Sequence, residues 1–287
     1  MMNDLYTFDN SEAAARESYV AICLAYDKIL RRLELSYVKA KGSVGSMGGS
    51  ESHEFLLPCD TVGEDTVLVC QSCHAAINAE LQSDGTEPSC QECSSKNSTS
   101  GRAIEIAHAF LLDKKYSAQF SAEFTSPDGK PHPLQMGCFG IGVTRLISAA
   151  VEVLSSSEEI RWPRAIAPYL VCVISPKAGS KEALAVGPLP EILSQQLSEL
   201  PHMDDEIVLD DRQDLTIGKR LMDAKKSGYP AIVVIGKTAA EDVPKFEVRF
   251  RHDPNLVLSL TSSDLLDFFR AQEVLLSGIG TVALRGS

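Results

Sequence analysis

Two clusters of residues in this sequence could do chemistry. The first is Met136-Gly137-Cys138-Phe139-Gly140-Ile141-Gly142-Val143-Thr144-Arg145, where an apolar, glycine-bearing run meets a single arginine. Glycines let a backbone approach a ligand closely. A helix starting near Val143 would offer free N–H groups to an anion. An arginine in its first turns adds a guanidinium that stays charged and forks onto phosphate oxygens. The same pattern suits a tight strand-to-helix joint around a packed helix, so spacing alone leaves both readings open. A dinucleotide fingerprint is the weaker alternative, because Arg145 stands where the third glycine of G-x-G-x-x-G belongs.

The second cluster is Cys70-Gln71-Ser72-Cys73 and Cys90-Gln91-Glu92-Cys93, with sixteen residues between the pairs. This spacing fits a structural zinc ribbon, in which four thiolates surround Zn²⁺ tetrahedrally. Four cysteines leave no open position, so the site reads as structural and His74 as ordinary surface. Cys23, Cys59, Cys138 and Cys172 are scattered among apolar neighbours, the distribution of a reduced intracellular protein with a metal site. Glu105 and His108 lie inside the apolar stretch Ala103 to Leu112. Burying either is costly unless it is paired, which makes both site candidates, with a satisfied core histidine as the alternative for His108.

These residues need elements to position them. Asp9 and Glu12 have the form of a capping box, with Asn10 and Ser11 as alternative caps. Ala15, Tyr19, Ile22, Cys23, Tyr26, Ile29, Leu30 and Leu33 then recur at helical spacing, predicting a long amphipathic helix from about Ser11 to Glu34. Strands are expected at Leu5–Phe8, Leu35–Ala40, Ser52–Leu57, Ala103–Leu112 and Tyr116–Phe124, and Ser94 to Gly101 reads as a polar linker. A further strand, Pro133 to Phe139, should deliver the chain to the glycine elbow, and Val143 to Leu154 should be the helix beyond it. After Arg161-Trp162-Pro163-Arg164 and Pro168 the pattern changes. Strands at Leu170–Ser175, Ile207–Leu209 and Ala231–Ile235 alternate with helices, and Phe246–Phe250 reads as an edge strand. This predicts a small, largely parallel α/β domain. Asp211, Arg212, Lys219, Arg220, Lys225 and Lys226 follow its strand ends, where open sheets bind ligands; a solvated charged face explains them equally.

At 287 residues the chain is long enough for two domains, and no apolar run is long enough to span a bilayer. A net charge of −12 argues against non-specific coating of nucleic acid, though a local basic patch could still read RNA. Met1-Met2-Asn3-Asp4 shows neither a secretory signal nor a transit peptide. Leu5 to Phe8 reads as half of a strand with no preceding partner, so the sequence is expected to be incomplete at its N-terminus.

Taken in order, these motifs resemble class II aminoacyl-tRNA synthetases. Gln135 to Arg145 resembles motif 3, in the form carried by the proline-specific enzymes. Asn3 to Asp9 resembles the end of motif 2, and Ser52-His53-Glu54-Phe55 and Ile104-Glu105-Ile106-Ala107-His108 resemble core strands. Trp162-Pro163 with Ile166-Ala167-Pro168 resembles the entry to the anticodon-binding domain, and Asp210-Asp211-Arg212 with Ile217-Gly218-Lys219 and Asp223-Ala224 resembles its hallmark. The short cysteine-bearing connection, in place of a large editing domain, resembles the mitochondrial type.

The resemblance implies an α+β catalytic domain on an antiparallel sheet, incomplete, over residues 1–165. Its cysteine-rich insert falls at about 66–100, and a small α/β anticodon-binding domain follows over 166–287. It implies ATP-dependent formation of prolyl-adenylate and transfer of proline to tRNA(Pro), in the mitochondrial matrix. Arg145, Gly140 and Gly142 would hold ATP, and Glu54 and Glu105 would serve ATP and Mg²⁺. Asp4, Tyr6, His108 and Cys138 would line the proline site. Asp211 and Arg212, paired with Lys219, would read the anticodon. Motif 1, which builds the family's homodimer, and the motif 2 arginine are not found in this sequence. The isolated chain is therefore expected to be nearly inactive. A non-catalytic truncated paralogue binding tRNA or a protein partner is the alternative. A zinc-ribbon adaptor would leave the elbow and the C-terminal domain unexplained.

Overall fold

The computed structural model describes residues 1–82, 89–127, 129–250, 253 and 255–276. The chain divides into two compact units, Met1–Val153 and Leu154–Ser287. The first unit runs β1 (Asn3–Asp9), α1 (Glu12–Arg32), β2 (Val38–Lys41), β3 (Glu51–Pro58), β4 (Asp65–Cys70), β5 (Ala76–Asn78) and β6 (Ser98–Asp113). It continues with α2 (Ser117–Phe120), β7 (Glu123–Thr125), β8 (Pro131–Pro133), β9 (Gln135–Ile141) and α3 (Val143–Leu154).

Helix α1 forms because one stripe of it is apolar and its ends are satisfied. Ala15, Tyr19, Cys23, Tyr26 and Leu30 are buried at spacings of three and four. The cap is the Ser11 hydroxyl, which accepts from the Ala14 N–H at 3.2 Å. The expected Asp9–Glu12 box does not form, because the Asp9 carboxylate is taken by the Ser18 hydroxyl at 3.0 Å. Tyr19 packs beside both His53 and Phe139, with ring centroids 5.9 and 5.7 Å away. The helix thus covers one face of the sheet and leaves the other for chemistry.

That sheet has the order β1-β9-β6-β3-β2-β5-β4, and β4 also pairs with β6. The 16-residue strand β6 makes this possible. Its first residues, Ser98 to Ala103, pair with β4, and its remainder pairs with β3 and β9. The stretch expected as a linker therefore joins the ladder from Ser98 onward. Strands β4 and β5 had no signature in the sequence; they close a five-strand circuit, β6-β4-β5-β2-β3, around Ala40, Leu56, Val67, Ala76 and Ala103. The expected strand at Tyr116–Phe124 is instead the helical turn α2, followed by Ser121 in the left-handed region, φ 53°. Lys115 and Tyr116 explain this, since both side chains reach back to the carbonyl of Met47 and pull the chain out of the sheet.

The second unit contains β10 (Val171–Ile174), α4 (Lys181–Val186), α5 (Leu189–Ser198), β11 (Ile207–Asp210) and α6 (Ile217–Ser227). β12 (Ala231–Val234), β13 (Lys245–Phe250), β14 (Val257–Thr261) and α7 (Ser262–Leu276) follow. Its order is β11-β10-β12-β13-β14, parallel for the first three strands and antiparallel for the last two. It is thus less parallel than the sequence suggested, and β13 is internal rather than an edge. The alternating residues of β13 explain this, because Phe246, Val248 and Phe250 are buried against Leu265 and Phe269 of α7.

His53 gives this packing a pH signature. Its Nδ1 meets the Tyr19 hydroxyl at 2.8 Å, and burial holds its pKa down, to about 4 from an ordinary 6.5. The unfolded chain takes up this proton below its ordinary pKa, whereas the folded chain refuses it until the lower value is reached. The contribution is complete above pH 6.5 and is lost as pH falls toward 4, a span worth on the order of 2 to 3 kcal/mol. Urea midpoints measured across that window should fall with acid, and less steeply in His53→Asn; identical slopes would remove His53 as the cause.

Candidate functional site

Strand register decides which side chains share the open face of the sheet. Glu54 lies opposite His108, His108 opposite Gly140, and Gly140 opposite Asp4. A second row runs parallel to it, from Ser52 to Phe110 to Cys138 to Tyr6. Side chains two apart on a strand point the same way, so both rows face one side. Asp4, Tyr6, His108 and Cys138, singled out in the sequence, are therefore neighbours across three strands. Gly140 matters through what it omits, because a Cβ there would stand 3.3 Å from the Asp4 carboxylate.

Glu105 and His108 are three residues apart and would face opposite ways on a regular strand. The register shift between Phe55 and Leu56 removes that obstacle by bulging β6 at Ile106. The Glu105 carboxylate then meets His108 Nδ1 at 3.3 Å. The Ser52 hydroxyl holds Nε2 at 2.6 Å, and Phe110 stacks on the imidazole with ring centroids 3.9 Å apart. The ring is fixed on two edges and one face. Glu54 completes the cluster, with ligand atoms of Glu54, Glu105 and His108 all within 4.8 Å of one another. Only 4% exposed, it accepts from Asn78 Nδ2 at 2.8 Å, and burial pushes its carboxyl above the usual range. Gly42 makes room for it, since a Cβ there would meet Glu54 Oε1 at 2.5 Å.

A cavity of about 380 Å³ opens over these rows, lined by Asp4, Glu105, His108, Phe110, Cys138 and Arg145 among others. A second, of about 250 Å³, shares Glu105 and Arg145 and extends to Glu64, Ser148 and Glu152. Arg145 thus stands between two spaces at the start of α3. Its Nη1 donates to the Glu105 carbonyl at 3.1 Å, and among the described residues no carboxylate pairs with it. A guanidinium steered by a carbonyl yet left without a counter-ion is available to an anionic ligand. Burial pushes the Cys138 thiol up, opposed by its hydrogen bond with Tyr6. Tyr6 shares this face but is absent from the cavity wall, and Glu54 lies beneath the cavity.

The cysteines form a second centre. Cys70 and Cys93 sulfurs are 3.6 Å apart, Cys73 and Cys90 sulfurs 3.5 Å, and all four lie within 4.8 Å of one another. Tetrahedral zinc–thiolate geometry requires S···S separations of roughly 3.8 Å, so the donor set fits. Two equivalent knuckles build it. His74 N–H returns to the Cys70 carbonyl and Ser94 N–H to the Cys90 carbonyl, with both residues in the left-handed region at φ 61° and 59°. Backbone N–H groups of Cys73 and Ser72 hold the Cys70 thiol down, to about 6.

In the second unit the charged cluster separates into distinct parts. Arg212 bonds Asp210 at 2.7 Å and Asp223 at 3.1 Å, and Lys219 bonds Asp223 at 3.1 Å. Asp223, not Asp211, is thus the carboxylate linking Arg212 to Lys219. Arg220 does not belong to the surface group at all. It is fully buried and donates to the carbonyls of Ser175 and Asp210, tying together the ends of β10 and β11. A cavity of about 350 Å³ lies beyond these ends, lined by Lys177, Thr216, Gly218 and Lys237 among others.

The family model for the tRNA synthetase class II core domain (G, H, P, S and T) matches residues 1–154. The chain belongs to the class II tRNA synthetases. A second model, the anticodon binding domain, matches residues 171–272. A probable mitochondrial proline–tRNA ligase of Mus musculus is 44% identical over 95% of this chain and 57% of its own length. The corresponding Schizosaccharomyces pombe protein is 36% identical over 84% of this chain and 55% of its own. The chain therefore spans little more than half of the curated relatives it matches. In structure it resembles prolyl-tRNA synthetase from Cryptosporidium parvum complexed with L-proline and AMP. The TM-score is 0.69 at 17% identity, over 96% of this chain and 48% of that one. This likeness concerns the fold.

Ser52, Phe110, Asn78 and Gly42 were given no role from the sequence. Ser52 had a usable signal, since it stands two residues before Glu54 on the same strand. Nothing in the sequence pointed to the others. Arg220→Met should destabilise the second unit by about 3 kcal/mol, because two buried carbonyls lose their donor. An unchanged urea midpoint would show that those carbonyls are satisfied in another way.

Proposed function

We propose that this chain carries the amino-acid activation site and the anticodon-binding unit of a proline–tRNA ligase of the mitochondrial matrix. The observation that supports this best is the pair of cross-strand rows. They put Asp4, His108 and Cys138 together in one cavity with Arg145 and Glu105. Proline sits against the first group, with the Asp4 carboxylate facing its imino nitrogen and Cys138 beside the ring, while Tyr6 flanks Cys138 from outside the cavity wall. ATP lies along Gly140 and Gly142, its phosphates held by Arg145. The proline carboxylate oxygen attacks the α-phosphate, and pyrophosphate leaves with the electrons of the broken P–O bond. The terminal ribose hydroxyl of tRNA(Pro) then takes the prolyl group, releasing AMP. No protein nucleophile is required, so the site works by positioning and by charge aimed at the phosphates.

Glu105 and Glu54, with His108 beside them, would hold Mg²⁺, which when bound offsets phosphate charge. Arg212, Lys219 and Asp211 would meet the anticodon, Arg212 and Lys219 held in place by Asp223 and Asp210. The four cysteines would hold structural Zn²⁺. The mitochondrial assignment rests on the names of the relatives.

The test is calorimetric binding of a non-hydrolysable prolyl-adenylate analogue to the full chain. Arg145→Ala should weaken binding at least tenfold, about 1.4 kcal/mol, and Asp4→Asn should reduce the preference over the alanyl analogue. Equal binding by wild type and Arg145→Ala would overturn the assignment. For the cysteines, elemental analysis should find about one zinc per chain, with Cys73→Ser losing it and melting at lower temperature. Four freely titrating thiols in metal-free protein of unchanged stability would end that part.

A further inference from the structure

Another cavity, of about 550 Å³, lies elsewhere, between the cysteine knuckles and the outer face of β2 and β5. Register builds its floor and one wall. His53 pairs with Lys41, Lys41 with Ile77, and Ile77 with Leu68, giving one row across β3, β2, β5 and β4. Lys39, two residues before Lys41, points the same way. His53 alternates with Ser52 and Glu54, so this row faces away from the Asp4–His108 cavity. The opposite wall includes Cys70 and Cys90.

The lining has two chemistries. Leu68, Ile77 and Leu81 supply apolar lining, while Lys39 and Lys41 line one side and Glu92 belongs to the cysteine-bearing segment. Among the described residues neither lysine makes a close ion pair; Lys39 interacts with the Cys23 thiol and, at longer range, with the Asp27 carboxylate. With two lysines against the single carboxylate of Glu92, the charged residues of this lining are on balance positive. Two adjacent cations suit a dianion better than a single carboxylate. An apolar floor suits a flat, weakly polar body, and the volume is in the range of small-ligand sites.

We infer that this cavity binds a phosphorylated nucleoside, with phosphate on Lys39 and Lys41 and the base against Leu68, Ile77 and Leu81. The same unit occurs as a free nucleotide and within single-stranded RNA. The experiment separates the two sources. Methyl-labelled full-length chain is titrated with uridine 5′-monophosphate, with uridine, and with a short single-stranded oligouridylate. Shifts of the Ile77, Leu68 and Leu81 methyls locate binding here, independently of the adenylate cavity. Shifts with the mononucleotide support a free-nucleotide ligand, and shifts with the oligonucleotide alone support RNA. In either case the double variant Lys39→Ala/Lys41→Ala should weaken binding at least tenfold, and uridine should bind at least tenfold more weakly than its phosphate. Ile77→Trp, which fills the floor while keeping both charges, should abolish the shifts at Leu68 and Leu81. The inference fails if neither phosphorylated probe moves these methyls, or if removing both lysines leaves the affinity unchanged.

Discussion

Strand β6 has to satisfy three partners at once, and that requirement shapes the first unit. A regular strand has two edges, and β6 spends one on β9 and divides the other between β4 and β3. Two departures from regular register accompany this sharing, one opposite Phe55/Leu56 and one between Leu111 and Asp113. The first rotates Glu105 onto the face that His108 already occupies. Without it the carboxylate and the imidazole would point into different halves of the unit, and Arg145 would lose the Glu105 carbonyl in its present orientation. The chemistry of the site is thus set by a backbone irregularity more than by any side chain.

This explains which parts of the molecule could be read from residues alone. The glycine elbow, the helix after it and the two cysteine pairs are local patterns, and each appears where its spacing put it. The stripe on α1 is local too, and its cap falls on the alternative, Ser11, because Asp9 is claimed by Ser18. The bulge at Ile106 is not local. It depends on how β3 lies beside β6, and side-chain periodicity carries no record of such a pairing. Strands β4 and β5 escaped for a related reason, being short and stabilised by partners distant in sequence. In the second unit, Lys219 and Arg220 are adjacent and of like charge, yet one is half exposed and the other fully buried. Only the packed carbonyls of Ser175 and Asp210 distinguish them.

Electrostatics follow the same division of faces. The first unit keeps acids and imidazole on its open face around a lone guanidinium, and places Lys39 and Lys41 on the reverse. Helix α1 and the aromatic layer of Tyr19, Phe55 and Phe139 lie behind the two cross-strand rows. Because that layer is apolar and close-packed, charge changes on one face are poorly screened by water within the sheet but have few polar groups through which to rearrange the other.

The five-strand circuit through β6, β4, β5, β2 and β3 also bears on how such a chain can change over generations. An inserted module joined by two crossing points can be exchanged as a cassette. The cysteine module is not of that kind, since β4 and β5 supply ladder partners to β6 and β2 and wall in Ala103 and Leu56. Excising it would leave a sheet edge and an opened core in the first unit itself. Wholesale replacement of the module is therefore not tolerated. Lineages that carry this arrangement should retain both β4 and β5.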